Sequence, residues 1–492
     1  MQTNLELKSL TSIKSLFCMS HATCRFGNAF RFIALISAAF PLLGGCALKD
    51  IAPPKPDLPP AWQQQAENTE PTVDKWWGYF NDPALDQLVA KAVRNNTDRR
   101  LALARIDEAR ALTENARAQS FPVINGVAGI ERSHSPANGN SRGGTNNQFN
   151  LGLDASWEPD LFGRIRANTQ AARAEANATV ADERGVSLAL IGEMARQYTL
   201  YRLYQEQAAL AADNTKAQEG VLRITEARYQ QGVESNLELM RSRALLETTR
   251  AQIPLYQNLA QTAAYQIDYL TGENPGANMP KLQNKTAIPV IDRDVFMDVP
   301  AKIIARRPDI WAAEQRLLSA ASLTQVATAD LYPSVSISGL LGLTSLTPGN
   351  LLQADSKNWS VGGSLIAPLF NFGRIRSAID ASESRQEQAL IAYEQTVLAA
   401  LRDIETAAAS YKKSKERFTS LRSAAEASAK AVAIARSQYG EGILSQLDVL
   451  SAEQTSYSAQ ESFAQASADM TQNFIALCKA LALMPAGDAA LN

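Results

Sequence analysis

Two long stretches of the chain carry no strong helix breaker. Residues 374–438 contain neither proline nor glycine over 65 positions, and residues 164–228, equally long, contain no proline. Apolar residues recur in both at helical spacing, with alanine dominant, the pattern of long helices packed closely together. At ~1.5 Å per residue each would be a rod of ~98 Å. Each stretch breaks at a Tyr-x-x-Gly turn, Tyr229 to Gly232 and Tyr439 to Gly442, after which a second helical stretch returns. Ahead of the rods lie a moderate helix at residues 83–119 and another at 308–330. These end at Phe121-Pro122 and Tyr332-Pro333, because proline cannot continue the hydrogen-bond ladder. Between moderate helix and rod the period changes to two. Phe149, Leu151, Leu153, Ala155 and Trp157 alternate with Asn150, Gly152, Asp154, Ser156 and Glu158. Val335 and Ile337 alternate with Ser334, Ser336 and Ser338, and Trp359, Val361 and Leu365 with Asn358, Ser360, Gly362 and Ser364. Such alternation predicts half-buried strands. Residues 134–147 and 344–356, rich in Gly, Asn, Ser and Pro, read as exposed loops between strand pairs.

Self-comparison shows why every pattern comes twice. Phe162-Gly163-Arg164-Ile165-Arg166 recurs as Phe372-Gly373-Arg374-Ile375-Arg376, and Tyr229-x-x-Gly232-x-x-Ser235-x-Leu237 as Tyr439-x-x-Gly442-x-x-Ser445-x-Leu447, both 210 positions on. Asp98 and Phe121-Pro122 match Asp309 and Tyr332-Pro333 at 211. The expected organisation is therefore two copies of one unit, repeat 1 at residues 83–272 and repeat 2 at 301–484. A linking, equatorial segment at residues 273–300 joins them, and residues 485–492 form a C-terminal tail.

The N-terminus has a different character. Arg25 and Arg31 flank an apolar run at residues 32–43, too short for the ~20 residues a membrane helix needs. It ends in Leu43-Gly44-Gly45-Cys46, which reads as a secretory signal closed by a lipobox, residues 1–45 being removed and Cys46 acylated. Ala47, not aspartate, follows the cysteine, so the mark that would retain a lipoprotein in the inner membrane is missing. Met1 and Met19 both serve as possible starts. Residues 46–82 become a lipid-anchored N-terminal segment.

Composition then removes function classes. Lysine plus arginine number 48 against 50 acidic residues, a balance that does not fit a nucleic-acid binder. The expected mature chain keeps 44 basic and 49 acidic residues, a balance of −5, with one histidine, His134, and beyond the acylated Cys46 one free thiol, Cys478. A lone histidine in a Gly/Asn-rich stretch and a cysteine inside Phe474-Ile475-Ala476-Leu477-Cys478 offer no nucleophile–base pair and no metal cluster, so neither enzyme nor cofactor is expected.

Four alternating strands per chain do not fill a sandwich core. A membrane barrel fits them better, but only if several chains contribute, since open strand edges cannot face lipid. Two chains or three satisfy that arithmetic equally. At this point the motifs resemble a known family. The lipobox Leu43 to Cys46, Trp77-x-x-Phe80-x-Asp82, Arg307-Pro308-Asp309, Tyr332-Pro333-Ser334, Pro368-Leu369-Phe370-x-x-Gly373 and Tyr439-x-x-Gly442-x-x-x-x-Leu447 run in the order of the outer-membrane efflux proteins, the TolC-like channels. The chain is most similar to their lipoprotein branch, which serves resistance-nodulation-division pumps.

The resemblance implies an α+β homotrimer in the outer membrane of a Gram-negative bacterium. Four strands per chain would make a twelve-stranded β-barrel, and two hairpins per chain a long periplasmic α-helical barrel below it. Its partners would be membrane lipids, a periplasmic membrane-fusion adaptor and an inner-membrane pump, and it would conduct drugs or other toxic compounds passively. The resemblance also implies roles at the hairpin tips. Gly232 and Gly442 supply the turns, and Glu238, Tyr439, Leu447 and Asp448 fall at the positions of the periplasmic gate. A Glu238–Tyr439 hydrogen bond between adjacent hairpins is expected to bias that gate closed. Ser451, Leu444 and Gly440 stand where relatives often carry a second aspartate or a basic partner, which predicts a weak lock. Taken without the motif, Glu238 and Asp448 read equally well as a solvated helix face.

Overall fold

The computed structural model describes residues 56, 58–63, 75–136, 143–284, 286–295, 297–441 and 443–484. The lipobox at Cys46 and the turn glycine Gly442 lie outside the described residues. After a 3-10 turn at Trp76–Phe80, the first half of the chain runs through α1 (Pro83–Asn95), α2 (Thr97–Ala118), β1 (Val123–Ser135), β2 (Gly144–Trp157), α3 (Arg164–Gln230) and α4 (Asn236–Leu270). A short α5 (Met279–Leu282) leads to the second half, with α6 (Pro300–Arg306), α7 (Pro308–Ala329), β3 (Ser334–Ser345), β4 (Lys357–Ile366), α8 (Arg374–Gly440) and α9 (Gln446–Ala480).

The two halves correspond element by element. Helices α3 and α8 both have 67 residues, ~100 Å of rod. Helices α4 and α9 both have 35, and α2 and α7 both have 22. Residues at the starts of α2 and α7 make the same tie to the end of the returning helix. The Asn96 side-chain Nδ2 donates to the Leu270 carbonyl at 3.1 Å, and the Arg307 guanidinium to the Ala480 carbonyl at 2.7 Å. Gly163 and Gly373 start the rods with φ 82° and 85°, a backbone that a side chain would disfavour.

The strands form one antiparallel sheet in the order β1-β2-β3-β4, leaving β1 and β4 as its edges. Val123 opposes Ser156 in the first half and Ser334 opposes Ile366 in the second, so the two hairpins share one register. The join between halves pairs Leu153 with Leu341 and Trp157 with Ile337.

The rods bury small residues. Ala167, Ala171, Ala174, Ala178 and Ala181 recur three or four apart along α3, the spacing of one helix face. The larger core lies around the middle of the helices, where Trp76, Leu85, Ile191, Tyr198, Ile267, Tyr411 and Phe474 form one cluster. The Trp77-x-x-Phe80-x-Asp82 segment is explained there. Trp76, Trp77 and Phe80 enter the cluster, Asp82 caps α1 through the Ala84 amide at 2.9 Å, and the Tyr198 hydroxyl donates to the same carboxylate.

Two sequence expectations change, and the linking segment gains detail. The helix at residues 83–119 is broken at Asn96, whose side chain accepts from the Asp98 and Arg99 amides and restarts the ladder as a cap. His134 belongs not to a loop but to strand β1, opposite Thr145, with its Nδ1 at 3.0 Å from that hydroxyl. The linking segment at residues 273–300 is a belt bound to the helices. The Tyr411 hydroxyl donates to the carbonyls of Ile291 and Arg293 at 2.9 and 2.6 Å and accepts from the Arg293 amide at 3.3 Å. Lys415 reaches Asp292 and Asp294, both at 2.9 Å. Burial pushes the Tyr411 phenol up to about 12. Burial works against the Lys415 ammonium, but the two aspartates outweigh it and hold its pKa above the ordinary lysine value.

Candidate functional site

The sheet separates its two faces. One face carries Ile130, Leu153, Leu341, Trp359, Val361 and Leu365, all exposed on the single chain. The other is polar and internally bonded. Gln148 donates to Asn150 at 3.1 Å, Thr344 donates to Asn150 at 3.1 Å, Asn358 donates to Thr344 at 2.9 Å, and Asn125 donates to Asp154 at 3.2 Å. Gly152 and Gly342 sit opposite each other on that polar face. A Cβ on Gly152 would lie 2.7 Å from the Leu341 carbonyl oxygen, and one on Gly342 2.7 Å from that of Leu151. Only glycine permits so close an approach of the two backbones on that face. Aromatic rings gather where the sheet meets the helices. Phe162 stacks on Tyr332 with centroids 5.0 Å apart and planes at 10°, and the Trp157 indole donates to the Ser120 carbonyl at 3.0 Å. Phe370 and Phe372 are exposed at the corresponding place in the second half, and Phe372 has φ 50°, unusual for so bulky a residue.

At the far ends of the rods the chain turns back through capped hairpins. Gly232 has φ 74°, and the Val233 amide donates to the Arg228 carbonyl at 2.9 Å, closing the turn. In the second half the Ile443 amide donates to the Gln438 carbonyl at 2.9 Å. Ser235 caps α4 by accepting from the Glu238 amide at 3.2 Å. Ser445 and Asp448 form a reciprocal capping box. The Asp448 carboxylate accepts from the Ser445 amide at 3.0 Å and its hydroxyl at 2.6 Å, while the Ser445 hydroxyl accepts from the Asp448 amide at 3.3 Å. The Ser445 hydroxyl and amide together hold the Asp448 carboxyl below its ordinary value.

The proposed gate residues lie together at these tips but do not bond to one another within the chain. Arg241 donates to the Glu238 carboxylate at 2.7 Å, three residues along the same helix. Tyr439 accepts from Arg228 of the other hairpin at 2.8 Å, and Gln446 donates to Thr225 beside it. Arg228 also approaches Glu234 at 3.4 Å. Leu447 is exposed, as are Val233, Leu237 and Ile443. The chain therefore has a basic partner for the tip tyrosine, although none stands at 440 or 444. Sequence reasoning missed Arg228 because the pair joins residues 211 positions apart. The usable signal was the mismatch between halves, Arg228 against Gln438. Higher on the hairpins another ion pair keeps its place but reverses its charges. Arg243 meets Glu226 at 3.1 Å in the first half, and Arg436 meets Glu453 at 2.8 Å in the second.

Cys478 is fully buried in the core, and burial pushes its thiol well above the ordinary value. Among the described residues no group of three or more His, Cys, Asp or Glu side chains is placed to hold a metal ion, and no described helix is long and apolar enough to cross a membrane.

With this geometry in place, comparison with known proteins gives concordant results. The family profile described as outer membrane efflux protein matches residues 88–273 and 299–483. The pyoverdine export outer membrane protein OpmQ of Pseudomonas aeruginosa is 31% identical over 471 residues, covering 91% of this chain and 96% of that protein. The toluene efflux pump outer membrane protein TtgI of Pseudomonas putida is 28% identical over 464 residues, covering 92% and 98%. Among solved structures, the outer-membrane channel OprN superposes with a TM-score of 0.84 at 32% identity, covering 89% of this chain and 98% of that one. The open state of the Neisseria gonorrhoeae channel MtrE superposes with a TM-score of 0.80 at 26% identity, covering 89% and 98%.

Proposed function

Because the chain belongs to the outer membrane efflux protein family, we propose that it is the outer-membrane exit channel of a tripartite efflux system. Its activity is passive conduction rather than catalysis. The observation that carries this reading is the sheet, apolar on one face, hydrogen-bonded polar side chains on the other, and open at both edges. Strands of 10 to 14 residues are long enough to cross a bilayer when tilted. Unpaired edge groups in lipid cost several kcal/mol each, so the sheet must close with other copies. Three copies give a twelve-stranded barrel whose polar faces line a water-filled lumen. The two hairpins per chain then continue the lumen as a helical barrel in the periplasm, and the matching elements of the two halves reflect an internal duplication.

The remaining assignments follow from this frame. Cys46 carries the N-terminal lipid, which assists the barrel in holding the membrane. The hairpin tips face a periplasmic membrane-fusion adaptor and, beyond it, a resistance-nodulation-division pump that supplies the energy. The tip is biased closed by the Arg228–Tyr439 bond, and three Asp448 carboxylates around the axis favour cations there. An adaptor that competes for such contacts shifts the population toward the open state. The test is the purified full-length protein in a planar bilayer, together with native mass spectrometry in detergent. Discrete conductance from a three-chain species is expected, and a protein that forms no pore would refute the channel reading.

A further inference from the structure

The four strands sort their charges by face. On the face with the hydrogen-bonded polar side chains the charged residues are Glu131 and Asp154, with no lysine or arginine. On the apolar face they are Arg132 and Lys357, with no carboxylate, and His134 stands on that face as well. All three are exposed. They lie at the end of the sheet away from the helices, since β1 runs outward from Val123 to Ser135 and β4 returns from Lys357 to Ile366. They also lie only on the two edge strands, while the inner strands put the uncharged Thr145, Asn147 and Ser345 at that end. Among the described residues neither Arg132 nor Lys357 has a carboxylate partner, and Asp355, in the turn before β4, makes no ion pair with Lys357. The helix end of the sheet is different. There Arg164 pairs with Glu158 at 3.0 Å, Arg166 with Asp160 at 3.2 Å and Arg376 with Asp380 at 3.6 Å.

Nine steps of ~3.4 Å separate Lys357 from Ile366 along β4, and at a tilt of ~40° they rise ~24 Å, close to the ~25 Å apolar band of a membrane barrel. Lys357 therefore stands at the headgroup level of the far leaflet. Trp359 lies one same-face step below it, where an amphipathic indole belongs. Because the sheet closes with other copies, the two edge strands come together at each junction, and so do the cations that only they carry. We infer that the outward rim at each junction between copies binds the phosphate of an outer-leaflet lipid. Arg132, His134 and Lys357 hold the headgroup, and the acyl chains lie along the apolar strip of Ile130, Trp359 and Val361. A guanidinium fork suits a phosphate by bidentate bonding, and the ammonium adds a point charge. A soluble anion would meet the cations but gain nothing from the strip, and an uncharged lipid would do the reverse. The carboxylates that would repel the phosphate, Glu131 and Asp154, are on the other face. Since its contacts come from two chains, the lipid favours the assembled protein over the single chain. This inference rests on the barrel reading above and adds to it a ligand and a site on the outer surface.

The probe is lipid A carrying two phosphates, set against its analogue carrying none. Each is added to the purified full-length protein in detergent and followed by native mass spectrometry. The phosphorylated form is expected to stay on the oligomer and the phosphate-free form to be retained roughly tenfold less. Removing one cation near a membrane surface lowers affinity for an anionic lipid roughly fivefold. Arg132→Gln and Lys357→Gln should each do so, and the two together should lower it roughly twenty-five-fold. Lys357→Arg should keep the parent's affinity, and so should Arg376→Gln at the helix end. Inorganic phosphate should fail to displace the lipid, and displacement would overturn the lipid as the occupant. Equal retention of both lipid forms by the parent, or equal retention of the phosphorylated form by the parent and the double variant, would overturn the site. The two lipids on the parent protein decide the matter even where a variant fails to assemble. Either overturning result beside discrete conductance in planar bilayers leaves the channel reading standing, whereas a protein without pores removes the barrel on which both rest.

Discussion

Replacing Gly342 by valine tests whether the close pairing of β2 with β3 depends on the glycine pair. A Cβ at 342 would lie 2.7 Å from the Leu151 carbonyl oxygen and 3.1 Å from the Gly152 Cα, both backbone atoms that cannot rotate away. Restoring an ordinary contact of 3.4 Å or more requires β2 and β3 to separate by ~0.7 Å at that point. The ladder bonds on either side lengthen, and the close approach that Gly152 and Gly342 allow is lost. Overpacking of this kind costs ~1–3 kcal/mol per site, and at ~2 kcal/mol the correctly paired fraction available for assembly falls roughly thirtyfold for each chain. Gly129 is the matched control. It lies on the same polar face, and a Cβ there meets nothing within 4 Å. The assay is the fraction of membrane-inserted protein that stays oligomeric in detergent without heating, followed by conductance in planar bilayers. Gly342→Val is expected to lose most of the oligomer, Gly342→Ala to fall between it and the parent, and Gly129→Val to match the parent. Equal oligomer yield and equal conductance for Gly342→Val and Gly129→Val would refute the account of the glycine pair.

Three further outcomes are expected. Tyr439→Phe and Arg228→Gln each remove a charge-assisted bond that, part-exposed as it is, contributes ~1 kcal/mol. Each should raise single-channel open probability roughly fivefold while Glu238→Gln changes it less, and equal openness in all three would remove the latch from these residues. Tyr411→Phe strips the belt of its shared hydroxyl and should accelerate amide hydrogen exchange at residues 288–295 by roughly tenfold or more, with unchanged protection showing that packing alone holds it. The lowered Asp448 value means that its capping contribution is full above the ordinary aspartate value of 3.8 and is lost as pH falls through the lowered one. Exchange at the first turn of α9, corrected for intrinsic rate, should therefore stay constant from pH 7 to near 4 and rise below it, and an onset near neutrality would contradict the assignment.

Much of this architecture was legible because it follows from local pattern. The absence of proline marks the rods, alternation marks the strands, and the glycine turns mark the hairpins. Asn96 was not legible as a helix break, since nothing in its neighbourhood resembles the proline that writes the same break at Arg307-Pro308. The belt was hidden for a related reason. Residues 273–300 read as a loop-rich link, while the groups that bind it, Tyr411 and Lys415, lie more than a hundred positions away. At the tip, Ser445 and Asp448 spell a capping box that sequence alone could have supplied. That gives Asp448 a structural task beside any electrostatic one. The Arg228–Tyr439 contact depended on tertiary placement and was beyond local pattern.

The equal lengths of the paired rods limit how such a chain can change over evolutionary time. Helices α3 and α8 match at 67 residues and α4 and α9 at 35. One inserted residue in α3 alone would move every later side chain around the axis by ~100° and drop that tip by ~1.5 Å below its neighbour. Insertions of seven residues nearly preserve the helical phase. The least disruptive length change is therefore seven residues made at four places at once, in both arms of both hairpins, which lengthens the hairpins in steps of ~10.5 Å. Substitutions can accumulate one at a time along these helices, but length can change only by coordinated jumps.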